Sequence, residues 1–221
     1  MKNHNHPKRF LSLPLVAGLL VFATMTLTLG EISEDVIKRE PLTVADAQLS
    51  NWLHTHATPP LTRAMFVVTS FGSTLTASCI AVGLSLYLLW RRRFYWLAAA
   101  LSSVFGGMLL NKLLKFAFHR ARPHFNDPIL KLDSYSFPSG HTMIATVLYG
   151  VLAAYLFSKT TDSRRRVLIL LAAGLLIALV GFSRMYLGAH YLSDVLGAIA
   201  EGLAWLSLCL TVVYSLCQRS R

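Results

Sequence analysis

Two histidines and an aspartate in this 221-residue chain are placed for phosphoryl or proton transfer. His190 and Asp194 are four residues apart, which on a helix puts them on one face about one turn apart. A carboxylate there can accept one imidazole N–H, fix the tautomer and leave the other nitrogen free as a nucleophile. His141, at the start of an apolar run, is placed to give or take a proton. These residues alone do not decide which histidine is the nucleophile, and a surface ion pair is the alternative for His190 with Asp194.

Three basic residues near these histidines in the sequence suit a phosphate group. Lys115, Arg122 and Arg184 have few acidic neighbours to neutralise them. Arginine presents a planar fork for phosphate oxygens, and lysine acts as a mobile point charge. Together they match the charge that builds up on the equatorial oxygens during phosphoryl transfer. The alternative is that each cation anchors its helix at the lipid headgroups with a snorkelling side chain.

The tetrapeptide Pro138–Ser139–Gly140–His141 directly precedes a predicted helix. Proline, serine and glycine favour a tight turn that leads into a helix N-terminus. The exposed N–H groups and the positive end of the helix dipole there form an anion site. We therefore expect the Ser139 hydroxyl and the Gly140 amide to donate to a phosphate oxygen. A helix cap without a ligand is the alternative.

The elements that must position these residues are membrane-spanning helices. The chain is 54% apolar and 14% charged, with a mean hydropathy of +0.52, whereas a soluble domain has roughly 25% charged residues. This composition excludes a water-soluble enzyme, a disordered chain and a secreted disulfide scaffold. A helix needs about 20 apolar residues to cross the hydrocarbon, so we predict an all-α, polytopic membrane protein with six transmembrane helices in a bundle. Their predicted ranges are Leu11–Leu29 (an uncleaved anchor), Met65–Trp90, Phe94–Phe118, Thr142–Phe157, Val167–Met185 and Leu192–Leu216.

The basic residues predict the orientation of these spans. The net charge is +11, but the cations flank the apolar runs instead of forming one stripe, so nucleic acid is not an expected partner. The clusters Arg91–Arg93 and Arg164–Arg166 mark the cytoplasmic side by the positive-inside rule. The same side holds Lys2, Lys8, Arg9, Lys159, Arg219 and Arg221. We predict a multi-pass plasma (inner) membrane protein with both termini cytoplasmic and the catalytic residues at the periplasmic or extracellular face.

The remaining segments complete a single predicted domain over residues 1–221. Residues 30–62 are polar and are predicted to form an extracytoplasmic loop. Within it, Val44–His54 has the spacing of a short amphipathic helix on the membrane surface, and an ordinary connecting loop is an equal alternative. Glu201 lies inside the last span and should face the bundle interior. It serves there either a proton or ion pathway or a satisfied hydrogen bond.

Taken together, the candidate catalytic and phosphate-binding residues resemble the signatures of the type 2 phosphatidic acid phosphatase (PAP2) superfamily. The family has three signatures, K-x6-R-P, P-S-G-H and S-R-x5-H-x3-D. Every position and internal spacing is matched between residues 115 and 194, and the six-span layout is similar to the family's bacterial integral-membrane lipid phosphatases. The matching residues are Lys115, Arg122 and Pro123, then Pro138, Ser139, Gly140 and His141, then Ser183, Arg184, His190 and Asp194.

The resemblance implies a lipid phosphatase or pyrophosphatase that needs no metal and no other cofactor. It implies that His190 is the nucleophile and becomes a phosphohistidine, that Asp194 orients it and that His141 protonates the leaving oxygen. Water then cleaves the phosphoenzyme. The phosphoryl oxygens would be held by Lys115, Arg122, Ser139, Gly140 and Arg184.

The expected partners are the bilayer and a lipid phosphate or diphosphate whose tail stays in it. Undecaprenyl diphosphate, phosphatidylglycerol phosphate, phosphatidic acid and diacylglycerol pyrophosphate all fit, and the signatures do not choose among them or predict an oligomeric state. One alternative function is a lipid phosphotransferase, which passes the phosphoryl group to an acceptor lipid. Another is a lipid-phosphate transporter, which typically has inverted repeats or broken helices. The sequence has no clear sign of either feature.

Overall fold

A computed structural model describes residues 13–38, 41–130 and 132–219, and these residues fold as a helical bundle without strands. Six helical stretches are long and apolar enough to cross a membrane, which confirms the predicted all-α polytopic class. Residues Lys2, Lys8, Arg9 and Arg221, used for the orientation, lie outside the described residues. The helices are α1 (Leu13–Lys38), α2 (Pro41–Thr55), α3 (Pro59–Ser70), α4 (Thr74–Trp90), α5 (Phe94–Phe118), α6 (Gly140–Ser158), α7 (Ser163–Tyr186) and α8 (Leu192–Arg219).

The main differences between the predicted spans and the observed helices lie in the first two spans. The first helix does not end at Leu29 but continues to Lys38, so residues 30–38 are helical instead of forming a loop. The second predicted span is broken at Phe71–Ser73 into α3 and α4. Ser73 caps α4, because its Oγ accepts the Thr76 N–H at 3.3 Å. The break corrects the prediction of one continuous helix over Met65–Trp90.

The break between α3 and α4 is packed against the first turn of α6. A Cβ at Gly72 would lie 2.8 Å from the His141 carbonyl oxygen and 2.6 Å from the Val180 side chain, so the approach requires glycine. The Tyr149 hydroxyl donates to the Phe71 carbonyl oxygen at 2.8 Å. The interruption is therefore a packed junction beside the start of α6.

Helix α6 forms the centre of the bundle and packs against α5, α7 and α8. Val147 and Leu148 of α6 are fully buried and lie in one cluster with Val104 and Val180. Helix α1 packs along α8 at the periphery. The last turns of α5 and α7 meet the first turns of α6 and α8 at one end, where Lys115 runs beside Gly140 and the Ser139 N–H donates to the backbone carbonyl oxygen of Asp194 at 3.0 Å.

The stretch Val44–His54, for which a surface helix and a connecting loop were equal alternatives, lies within helix α2. Its inward face buries Asp46, Ser50 and Leu53, and it contacts α7 and α8. Trp52 and Val44 are exposed on its outer side. Placement of α2 at the membrane surface stays a prediction.

Glu201 faces the bundle interior and is 1% exposed. Its Oε2 accepts the Asn111 side-chain N–H at 2.8 Å, the bond expected of the hydrogen-bonded alternative. The other carboxylate oxygen, Oε1, has no hydrogen-bond partner among the described residues.

Candidate active site

The imidazole of His190 is held between a carboxylate and a guanidinium. Its Nδ1 lies 3.3 Å from Asp194 Oδ2, and its Nε2 lies 3.2 Å from Arg122 Nη1. His190 is 2% exposed and Asp194 is fully buried. A guanidinium nitrogen only donates, so Nε2 must accept and the ring proton belongs on Nδ1, facing Asp194. The imidazole thus presents an unprotonated Nε2 beside a cation.

Burial favours the neutral form of this imidazole. It lowers the pKa of His190 from 6.5 to about 3; Asp194 opposes this shift, and the charges of Arg122 and Arg184 add to it. The neutral ring is the nucleophilic form, because protonation would occupy the Nε2 lone pair.

We expect His190 to stay neutral when the pH falls below 6.5, where an ordinary histidine takes up a proton. Since its pKa is lowered, the charged form should become populated only near pH 3. Nitrogen NMR of histidine-labelled protein should show an Nδ1–H neutral tautomer at about pH 5. The signal is assigned by its loss in His190→Gln, and a protonation midpoint near 6.5 would contradict the prediction.

Asp194 is surrounded by donors. Its Oδ2 accepts from the Ser136 hydroxyl and, at 2.9 Å, from the Tyr191 backbone N–H, while its Oδ1 accepts from Arg120 at 2.6 Å. Its carbonyl oxygen accepts the Ser139 N–H at 3.0 Å. These bonds satisfy a buried carboxylate and join the start of α8 to the start of α6.

Lys115 and Arg122 converge on one backbone oxygen. The Tyr135 carbonyl accepts from Lys115 Nζ at 2.6 Å and from Arg122 Nη2 at 3.2 Å. A Cβ at Gly140 would lie 3.9 Å from Lys115 Cε, so the lysine runs alongside the first turn of α6. The first and second signatures therefore share one site.

Arg184 is buried, with 5% exposure, at the end of α7. Its Nη1 donates to the Thr69 hydroxyl at 3.1 Å, whereas its Nε has no partner among the described residues. Its carbonyl accepts the Ala189 and His190 N–H groups at 3.0 and 3.3 Å, which ties it to the loop that carries His190. A buried N–H without a partner is costly, and here it is a donor available to an anion.

His141 lies half-buried in the first turn of α6. Lys115, Arg122 and Arg184 all act electrostatically on its imidazole, and the two arginines also act on His190. The two histidines therefore lie within electrostatic reach of the same two arginines.

The first turn of α6 presents the amides of Gly140 and His141, which have no acceptor within their own helix. The Ser139 side chain points elsewhere. It is fully buried, and its hydroxyl lies 3.0 Å from Thr142 Oγ1. The predicted contact between the Ser139 hydroxyl and phosphate would require this side chain to turn.

Two residues beside the site were missed from the sequence. Arg120 lies among the variable positions of the first signature, and Asp46 lies in α2, 74 residues away from it along the chain. The one sequence feature that could have indicated Arg120 as a site residue was its position between Lys115 and Arg122. Within the three described ranges, no three His, Cys, Asp or Glu side chains form a group that could hold a metal ion.

Comparison with known proteins gives a family match and related phosphatases. The family model of the PAP2 superfamily matches residues 96–216. Phosphatidylglycerophosphatase B of Bacillus subtilis (strain 168) is 36% identical over 149 residues, which are 66% of this chain and 71% of that protein. A lipid A 1-phosphatase of Rhizobium johnstonii is 38% identical over 133 residues, covering 55% of this chain and 50% of its own length.

Solved structures share the fold. The crystal structure of a transmembrane PAP2 type phosphatidylglycerolphosphate phosphatase from Bacillus subtilis matches with a TM-score of 0.79 and 28% identity, over 90% of this chain and 97% of that one. Aquifex aeolicus LpxE matches with a TM-score of 0.58 and 20% identity, over 77% and 95% of the two chains, and supports the fold alone. With the family model covering more than half of its length, this chain belongs to the PAP2 superfamily and is a multi-pass membrane phosphatase acting on phosphoric esters.

Proposed function

We propose that this protein dephosphorylates a lipid phosphate or diphosphate through a phosphohistidine at His190. The observation that carries the proposal is the position of His190, with Nε2 3.2 Å from Arg122 Nη1 and Nδ1 3.3 Å from Asp194 Oδ2. Since a guanidinium only donates, these partners assign the ring proton to Nδ1 and leave Nε2 unprotonated. A nucleophile beside a phosphate-binding cation is the arrangement that phosphoryl transfer to nitrogen requires.

The position of the site suits an amphiphilic substrate. The site lies at the end of the bundle where apolar helices give way to the connecting loops. A lipid can present its phosphate there while its tail stays in the hydrocarbon. The relatives named phosphatidylglycerophosphatase B and lipid A 1-phosphatase act on such lipids by name, so phosphatidylglycerol phosphate is the first substrate to test, followed by undecaprenyl diphosphate, phosphatidic acid and diacylglycerol pyrophosphate.

The first step forms the phosphoenzyme. Lys115, Arg122 and Arg184, together with the first amides of α6, hold the phosphoryl oxygens. His190 Nε2 bonds to phosphorus while the bond from phosphorus to the leaving oxygen breaks. His141 gives that oxygen its proton. The imidazolium that forms at His190 is stabilised by Asp194 through Nδ1–H.

The second step returns the enzyme to its starting form. Water attacks phosphorus, the bond to His190 Nε2 breaks, and the proton lost by the water passes to His141. The products are inorganic phosphate and a neutral His190. No metal ion takes part in either step.

A phosphate-release panel tests the activity. We expect the purified protein in EDTA to release inorganic phosphate from at least one of the four lipids. A requirement for added divalent metal would contradict the metal-independent mechanism. Label that moves to an acceptor lipid, without free phosphate, would identify a phosphotransferase, and binding without any release would favour a transporter.

The proposed location of the site is the outer membrane face, with both termini in the cytoplasm. In sealed vesicles whose outer face points inward, added substrate should be hydrolysed only after permeabilisation. Full activity in the sealed vesicles would place the site on the cytoplasmic face and reverse the orientation.

A further inference from the structure

Arg120 joins two buried carboxylates from distant parts of the chain. Its Nη1 donates to Asp194 Oδ1 at 2.6 Å, and its Nη2 donates to Asp46 Oδ2 at 2.8 Å. The exposed fractions of the side chains are 12% for Arg120, 1% for Asp46 and 0% for Asp194. The planar fork of a guanidinium can hold two carboxylates in a fixed geometry, which the single ammonium of lysine cannot do.

Asp46 also fixes the backbone next to Asp194. Its Oδ1 accepts the Ser193 N–H at 2.9 Å, and its Oδ2 accepts the Ser193 hydroxyl. Ser193 lies in the first turn of α8, where N–H groups lack acceptors within the helix. Helix α2 thus supplies an acceptor to α8 at the point where α8 carries the carboxylate that faces His190.

The bonds of Asp194 are divided between its two oxygens. Oδ1 accepts from Arg120, whereas Oδ2 faces His190 Nδ1. Arg120 holds Oδ1 and, together with the Ser136 and Tyr191 donors to Oδ2, fixes the rotation of the carboxylate so that Oδ2 stays turned to the imidazole. Two residues further along the same loop, Arg122 contacts the other ring nitrogen of His190. The loop between α5 and α6 therefore acts on both ring nitrogens, through Asp194 in the case of Arg120 and directly in the case of Arg122.

Arg120 stays charged in this position. Burial opposes its charge, but Asp194 and Asp46 outweigh burial and raise the pKa of Arg120. Its guanidinium also stacks over the Tyr191 ring, 4.5 Å from the ring centre. The bridge between the two carboxylates is thus an ionic contact.

We propose that Arg120 and Asp46 are positioning residues for the phosphoryl transfer, and that α2 holds Asp194 in register with His190 through them. The inference rests on the proposed function, because it assigns the two residues to the His190 reaction. Asp46 lies outside residues 96–216, the part matched by the family model. Neither Arg120 nor Asp46 is among the residues assigned to hold the substrate phosphate. Replacing either residue should therefore lower kcat and leave KM nearly unchanged.

The test uses Arg120→Gln, Asp46→Asn and the double variant in the purified full-length chain, with the preferred lipid of the panel as substrate. We expect each single change to lower kcat by about 10- to 100-fold, as loss of a partner that orients a reacting side chain does, and to leave KM within about threefold. The double variant should lose little more than the worse single variant, since both interrupt one linkage. Arg120→Lys should not restore kcat.

The matched controls are Arg63→Gln and Asp133→Asn, which change exposed residues of the same types and should keep the wild-type kcat. Thermal unfolding is measured for every variant. If Arg120→Gln does not fold, Asp46→Asn decides, since asparagine keeps the size and one acceptor for Ser193.

Wild-type kcat in Asp46→Asn, or losses that multiply in the double variant, would overturn the positioning role. If His190→Gln is inactive in the same assay, the proposed function stands despite that result. A wild-type protein that releases no phosphate from any lipid would instead contradict the proposed function itself.

Discussion

Replacing His190 with glutamine should lower kcat for phosphate release by at least about 10⁴-fold, the scale of losing a nucleophile. Glutamine keeps an N–H that can donate to Asp194, so the buried carboxylate retains a partner. It offers no nucleophilic nitrogen to phosphorus. Because the cations at the site are unchanged, binding of a non-hydrolysable lipid phosphonate should persist. Phosphate release and phosphonate binding are measured on the same preparation.

The matched control for this variant is His56→Gln, which changes an exposed histidine near the end of α2. It should keep the wild-type rate. A rate for His190→Gln within about tenfold of the wild type would mean that another group attacks phosphorus. Loss of phosphonate binding along with activity would instead give His190 a binding role.

Asp194→Asn is expected to lower kcat by about 10³- to 10⁴-fold. The amide keeps the shape of the side chain but carries no charge to stabilise the imidazolium that forms when His190 attacks. An amide that turns its NH₂ toward Nδ1 also reverses the tautomer and puts the ring proton on Nε2, where it blocks attack. The measurement is steady-state kinetics with thermal unfolding as a check on folding. A raised KM with unchanged kcat would contradict the orienting role, and Asp133→Asn is the control.

The spans could be predicted because lipid permits only long apolar helices in such a chain. Phe94–Phe118 coincides with α5 for that reason. The extension of α1 to Lys38 and the break at Phe71–Ser73 were not predictable from hydropathy. The break depends on packing, since Gly72 lets the chain approach the His141 carbonyl, and such a contact leaves no periodic pattern in the sequence.

Residues of the candidate site were predictable where the residues that act together are close to each other in the sequence. His190 and Asp194 do not share a helix face as predicted, because His190 precedes α8 and Asp194 lies in its first turn, but the structure still brings Nδ1 and Oδ2 within 3.3 Å of each other. The link from Asp194 through Arg120 to Asp46 has no local pattern, because it joins a loop to a helix 74 residues earlier. The orientation of the Ser139 hydroxyl toward Thr142 is likewise a product of packing.

The most direct test of the covalent mechanism is to find where the transferred phosphoryl group is attached. An aryl phosphate has a leaving group that needs no proton, so His141→Ala should form the phosphoenzyme and hydrolyse it slowly. Rapid quenching in alkali, which preserves phosphoramidates, followed by peptide mapping should locate the phosphoryl group on His190. Attachment of the label to a different side chain would contradict the account, as would turnover of the same phosphate by His190→Gln at the rate of His141→Ala.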